Sequence, residues 1–127
     1  MLKIPFEQYV KDLASFNWVF PYHRVSQGQA DATLVKGDPT LFFGGLFTNK
    51  NAAFVYVKIH NTSVAPVAGS TPIAKTIGVP PGQTISFNPS VPLLLDKGFA
   101  FTLVTGLVDN DATAVPAGDV VIDLEYR

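Results

Sequence analysis

From Asp31 to Arg127, apolar and polar positions alternate in short runs, and clusters of Pro, Gly, Asn and Asp separate the runs. Alternation with period two sends successive side chains to opposite faces of a β-strand. The clearest case is Ala53 to Asn61. There Val55, Val57 and Ile59 fall on one face, and Phe54, Tyr56, Lys58 and His60 on the other. Further strands are predicted over 33–36, 41–48, 73–79, 84–87, 93–95, 99–105 and 119–126. In the last of these Val120, Ile122, Leu124 and Tyr126 face inward, with Asp123 and Glu125 outward. Gly37-Asp38-Pro39, Asn49-Lys50-Asn51, Pro80-Pro81-Gly82 and Asp96-Lys97-Gly98 supply turn chemistry. Gly44-Gly45, inside an apolar run, marks a bulge or a close approach of backbone. Many short strands with turn-rich links predict an all-β fold, an antiparallel sandwich of jelly-roll-like or Ig-like type over residues 31–127.

Residues 1–30 have another character and form an N-terminal arm or docking segment. Pro5 can open a short helix, and Tyr9, Val10, Leu13 and Phe16 recur at helical spacing. An aromatic cluster follows at Phe16, Trp18, Phe20 and Tyr22, and the polar stretch from Ser26 to Asp31 reads as a hinge. The segment is either an edge piece packed on the domain's own core or an arm that docks on a neighbouring subunit.

Composition narrows the function classes. Of the 127 residues only 15% are charged, well below the ~25% of an ordinary soluble domain, while mean hydropathy is +0.26 and there are ten Phe. Such a chain expects part of its apolar surface to be covered by other subunits. A formal net charge of -1 with scattered basic residues offers no stripe for nucleic acid. No apolar run approaches the roughly 20 residues of a membrane span. Glu7 and Asp12 fall where a signal peptide needs an uninterrupted apolar stretch. Without cysteine there is neither a disulfide nor a thiolate zinc site.

Catalytic chemistry finds little support. Ser63, His60 and Asp109 supply the residue types of an acyl-transfer triad, but no local motif accompanies them. The acidic group Asp109, Asp111 and Asp119 is the one metal-like arrangement. It lacks the central Gly and following Glu of a calcium loop, and Asp-Asn-Asp equally suits turns. No cofactor is predicted. The aromatic residues carry more weight: Phe6, Tyr9, Leu13, Phe16, Trp18, Phe20, Tyr22, Phe54 and Tyr56 are the candidate interface set. Stacking on a sugar is the alternative for Trp18, Phe20 and Tyr22, and for Phe54 with Tyr56.

One stretch is similar to a known module. Val57-Lys58-Ile59-His60-Asn61, an Ala-Pro loop, the strand and turn Thr76 to Gly82, the aromatic strand Phe99 to Gly106, and Asp109 to Tyr126 follow one another in order. This pattern resembles the β-module of small virion structural proteins of tailed bacteriophages. The resemblance covers the chain from Ala52 onward and leaves the N-terminal segment unmatched. It implies a non-enzymatic head decoration (cement) protein on the capsid surface, with the major capsid protein and its own copies, as a homotrimer, for partners. Neither nucleic acid nor membrane is implied as a partner. The alternatives are a tail, baseplate or fibre component, or a carbohydrate-binding module that contacts host glycan.

Overall fold

The computed structural model describes residues 19–127. The helix predicted near Tyr9 and Leu13, and the interface candidates Phe6, Tyr9, Leu13, Phe16 and Trp18, lie outside them.

Among the described residues nine strands form: β1 (Phe20–Val25), β2 (Thr33–Lys36), β3 (Thr40–Asn49), β4 (Val55–Asn61), β5 (Lys75–Val79), β6 (Thr84–Phe87), β7 (Leu93–Leu95), β8 (Phe99–Val104) and β9 (Val120–Tyr126). One sheet runs β1-β9-β3-β6, with β7 also paired to β3, and the other runs β2-β8-β4-β5. Every pairing is antiparallel. The nesting of the pairs defines the topology. β4 pairs β5, β3 pairs β6, β2 pairs β8 and β1 pairs β9, as in one long hairpin. Rolling that hairpin then brings β9 onto β3 and β8 onto β4. This is a jelly roll, the first of the two sandwich types expected. An Ig-like sandwich has a different strand order.

The core lies between the sheets. Phe42, Phe47, Ile122 and Leu124 come from the first sheet, and Val57, Ile59, Phe99 and Phe101 from the second. Aromatic rings stitch the two layers together: Phe42 meets Phe99 at 4.9 Å, and Tyr22 meets Phe101 edge-on at 5.8 Å. Each such pair adds about 0.5–1.5 kcal/mol beyond area burial.

Several expectations change. Residues 20–25, grouped by sequence with a segment read as either an edge piece or a docking arm, form an edge strand of the first sheet paired with β9. The stretch from Ser26 to Asp31 is no hinge but a tied corner between the sheets. Ser26 and Asp31 are both buried, and Asp31 takes hydrogen bonds from Arg24 and from the Gln27 amide. Pro80-Pro81-Gly82 does turn the chain, but it carries it from one sheet to the other rather than closing a hairpin. Strand β8, whose sequence alternates Phe99, Phe101 and Leu103 against Ala100, Thr102 and Val104, is buried along both faces.

Gly44 and Gly45 show why an apolar strand carries two glycines. The register of β3 against β9 shifts between Phe42 and Gly44, as expected of a bulge. Gly44 sits at φ 95°. A Cβ there would lie 1.7 Å from the Phe87 carbonyl oxygen, and one on Gly45 would lie 1.9 Å from that of Asp123. Backbone from both flanking strands fills the space. Gly44→Ala therefore combines left-handed strain with a backbone clash. It should destabilise the fold by about 3 kcal/mol or more, read as the shift in a urea denaturation midpoint.

Candidate functional site

Chemistry-bearing side chains gather on the outer face of the second sheet. Lys58 and His60 are two apart on β4, so both leave the sheet on the side away from the core. Thr102 stands beside them on β8, paired in register with Lys58. An outward strand face would ordinarily be wet, yet Lys58, His60 and Thr102 are each 1% exposed. The cover is two irregular segments, residues 62–74 and 105–114.

Each buried group is tied to its cover. Lys58 Nζ donates to the Val108 carbonyl at 2.5 Å. His60 Nδ1 lies 2.9 Å from the Pro72 carbonyl, and Nε2 lies 2.9 Å from the Thr102 hydroxyl. A carbonyl can only accept, so Nδ1 carries the proton and Nε2 accepts from Thr102 in the neutral ring. Burial lowers the His60 pKa, the Pro72 carbonyl pulls it back up, and the Lys58 charge lowers it further. A hydroxyl bonded to an imidazole has the composition of a nucleophile and base. Here both groups are sealed, so a substrate has no approach to them. Neither Ser63 nor Asp109 bonds His60, and the paper triad is not assembled.

The aspartates do not converge. Asp111 Oδ1 accepts from the Thr113 hydroxyl and amide, at 2.7 and 3.1 Å. The Thr113 hydroxyl holds the Asp111 carboxyl below its ordinary range, against the opposing effect of burial. Asp119 instead accepts from Asn51 Nδ2 at 2.8 Å, and Asp109 is exposed. Among the described residues, no three His, Asp or Glu side chains are grouped to hold a metal ion.

The aromatic candidates divide between two places. Tyr22 packs on the sandwich's own core. Phe20 is half exposed, with its ring 5.8 Å from Tyr126. Tyr22 thus faces the core from β1, while Phe20, on the same face, keeps about half of its surface in solvent. Phe54 and Tyr56 do face out of the second sheet, with ring planes 17° apart and centroids 6.0 Å apart. Gly78, opposite Tyr56 on β5, leaves room for both rings.

The first sheet's outer face is bare by comparison. A groove of about 250 Å³ opens there between Pro21, His23, Gly45, Leu46, Asp123 and Glu125. His23 Nδ1 and Asp123 Oδ1, 2.6 Å apart and exposed, bridge β1 and β9 along it. Leu46 projects beside them, 51% exposed.

Sequence reasoning gave His60 and Lys58 an ordinary strand face and missed their burial. The available signal was the stretch 62–74, which carries no ionisable residue at all. A loop so poor in charge is suited to lie against the protein.

No protein-family model and no curated protein matches the chain. Among solved structures, the chain is similar to tobacco streak virus coat protein at 15% identity. That match covers 86% of this chain and 87% of that one, with a TM-score of 0.33. A second structure, the tobacco streak virus coat protein dimer, matches at 13% identity over 84% and 83%, with a TM-score of 0.32. Likeness of this degree carries nothing about fold or function, and the jelly roll rests on the strand order alone.

Thr102→Val keeps the shape of the side chain and removes the donor to His60 Nε2. With a buried acceptor left unpaired, stability at pH 7.5 should fall by about 1–3 kcal/mol in chemical denaturation. An unchanged midpoint would mean that the hydroxyl is not holding the ring.

Proposed function

We propose that this chain is a non-enzymatic structural protein of a virion, and within that class a decoration protein bound to the outside of a capsid. One observation carries the proposal: a small jelly roll that leaves large apolar side chains in solvent, in a chain with few charges. Val91 is 75% exposed, Val64 65%, Val108 64%, Leu94 63% and Leu107 61%, while only 15% of residues are charged. Apolar side chains this exposed, in a chain with so few charges, fit a surface that other subunits cover. Jelly rolls serve as viral shell domains and as lectins, so the fold supports the virion class by analogy. The resemblance from Ala52 onward to phage virion modules supports the same class.

In this proposal the N-terminal segment with Phe6, Tyr9, Leu13, Phe16 and Trp18 buries apolar area against the major capsid protein or a sister copy. Each 100 Å² so buried contributes about 2.5 kcal/mol before the cost of association. A weak contact repeated over a lattice would stabilise the whole shell, and a trimer would suit its three-fold positions.

The stacked, outward-facing Phe54 and Tyr56 favour a second possibility, contact with a host glycan. Phe54→Ala should then abolish retention on a glycan array while leaving the melting temperature within a few degrees.

The lead proposal has a direct test. In particles split into heads and tails, the chain should travel with heads, and heads stripped of it should rupture at lower temperature. Recovery from tail fractions alone would overturn the decoration role and favour a tail or fibre component. Assembly of closed shells from the purified chain by itself would make it a coat subunit instead.

A further inference from the structure

The covered layer on β4 and β8 holds two groups whose charge opposes their burial. Lys58 and His60 are both 1% exposed, and each is capped by a carbonyl from a different irregular segment. The two segments meet where a Cβ on Gly69 would come within 2.8 Å of the Asn110 carbonyl oxygen. Residues 62–74 contain no strand. Their described backbone hydrogen bonds to the rest of the protein sit at the two ends, Thr62 to Gly98 and Ala74 to Ile59. Between those ends, His60 ties the sheet to this segment through the Pro72 carbonyl and the adjoining Thr71 backbone.

We infer that this layer is an acid-sensitive clasp, in which protonation of His60 lifts residues 62–74 off the sheet while the strands stay paired. The inference is independent of the virion proposal.

An imidazolium on His60 would meet little that stabilises it. On its own strand the nearest ionisable group is Lys58, already a cation. Strand β8 offers Ala100, Thr102 and Val104, none of them charged. Strand β5 contributes Lys75, whose ammonium lies over the Phe87 ring at 5.5 Å, and Thr76. Residues 62–74 bring no ionisable side chain, and 105–114 bring Asp109, which is exposed, and Asp111, whose Oδ1 is bonded to Thr113 and whose charge already faces Lys58. A second proton on the ring also forces the Thr102 hydroxyl to turn from donor to acceptor. No carboxylate bonds the new charge, and water cannot reach it while the loop is down. Lifting the loop hydrates the ring at the cost of the backbone bonds at its ends, the burial of Pro66 and the contact of Gly69 with Asn110.

The sign follows from linkage. In the lifted state the imidazole is wet and titrates near its ordinary value of about 6.5. In the closed state burial lowers that value. The advantage of closure is therefore complete above the ordinary value and is lost as pH falls through the closed-state value. Within that window the open population should rise by up to about tenfold per pH unit.

Amide hydrogen exchange on the full chain between pH 7.5 and 5, corrected for intrinsic rates, reads this population. The expected result is progressive loss of protection in 62–74 below about pH 6.5, with β4 and β8 amides still protected, and no such dependence in His60→Gln. Protection of 62–74 that ignores pH, simultaneous exchange of all strands, or an undiminished dependence in His60→Gln would each overturn the clasp. Should His60→Gln fail to fold, an NMR titration of the wild-type ring decides. Ring titration in step with loop exchange supports the clasp, and ring titration under a loop that stays protected refutes it.

Discussion

The structure depends on β9 finding both of its neighbours. Strand β9 is the last element of the chain, and it must sit between β1, the first described, and β3, exchanging backbone hydrogen bonds with each. Until it does, the first sheet has no middle, and the inward faces of β1 and β3 have nothing to pack beside. Insertion demands that β3 lie flush against two backbones at once, at Phe87 on one side and Asp123 on the other. Gly44 and Gly45 meet that demand by having no side chain to place there. Nearly every pairing in the fold joins distant parts of the chain, so loop closure comes before reward and slow folding is the expected consequence.

Rolling the hairpin finishes the two outer faces differently. On the first sheet the strands themselves form the surface, so Leu46, His23 and Asp123 stand in solvent on rigid backbone. On the second sheet the connections 62–74 and 105–114 fold back over the strands. Lys58 and His60 then become interior residues although they point away from the core. Val64, Val67, Leu107 and Val108 ride on those connections and supply the apolar surface of that side. One face is thus fixed by sheet hydrogen bonds, and the other by a few side-chain ties to buried polar groups.

What could be read from sequence follows the same division. Alternation in β9 was legible because one of its faces meets the core and the other meets water, and the residue types record the difference. Alternation in β8 left its second face undecided, because loops cover that face and loop cover leaves no period in the strand beneath. Ala100, Thr102 and Val104 suit either a wet or a buried face, so their types could not decide. The turns at Asp96-Lys97-Gly98 and Pro80-Pro81-Gly82 were legible from local chemistry, but a turn does not say whether it ends in the same sheet. Sheet membership is set by partners far along the chain. The same is true of the packing of Tyr22, whose partner Phe101 lies far along the chain.

The contrast between the faces bears on how such a module can serve an assembly. A lattice contact must present the same shape at every copy, and a strand face on a closed sheet does so because moving one residue breaks the ladder. A surface built on irregular connections has no ladder to break. Its shape rests on bonds at the ends of the connections and on the Pro72 and Val108 carbonyls, which cap His60 and Lys58 with bonds worth about 0.5–3 kcal/mol each. The low charge content has a related consequence, since neither face gains much from salt-dependent attraction. Apolar shape is then what either face has to offer, held by a strand ladder on one side and by irregular connections on the other.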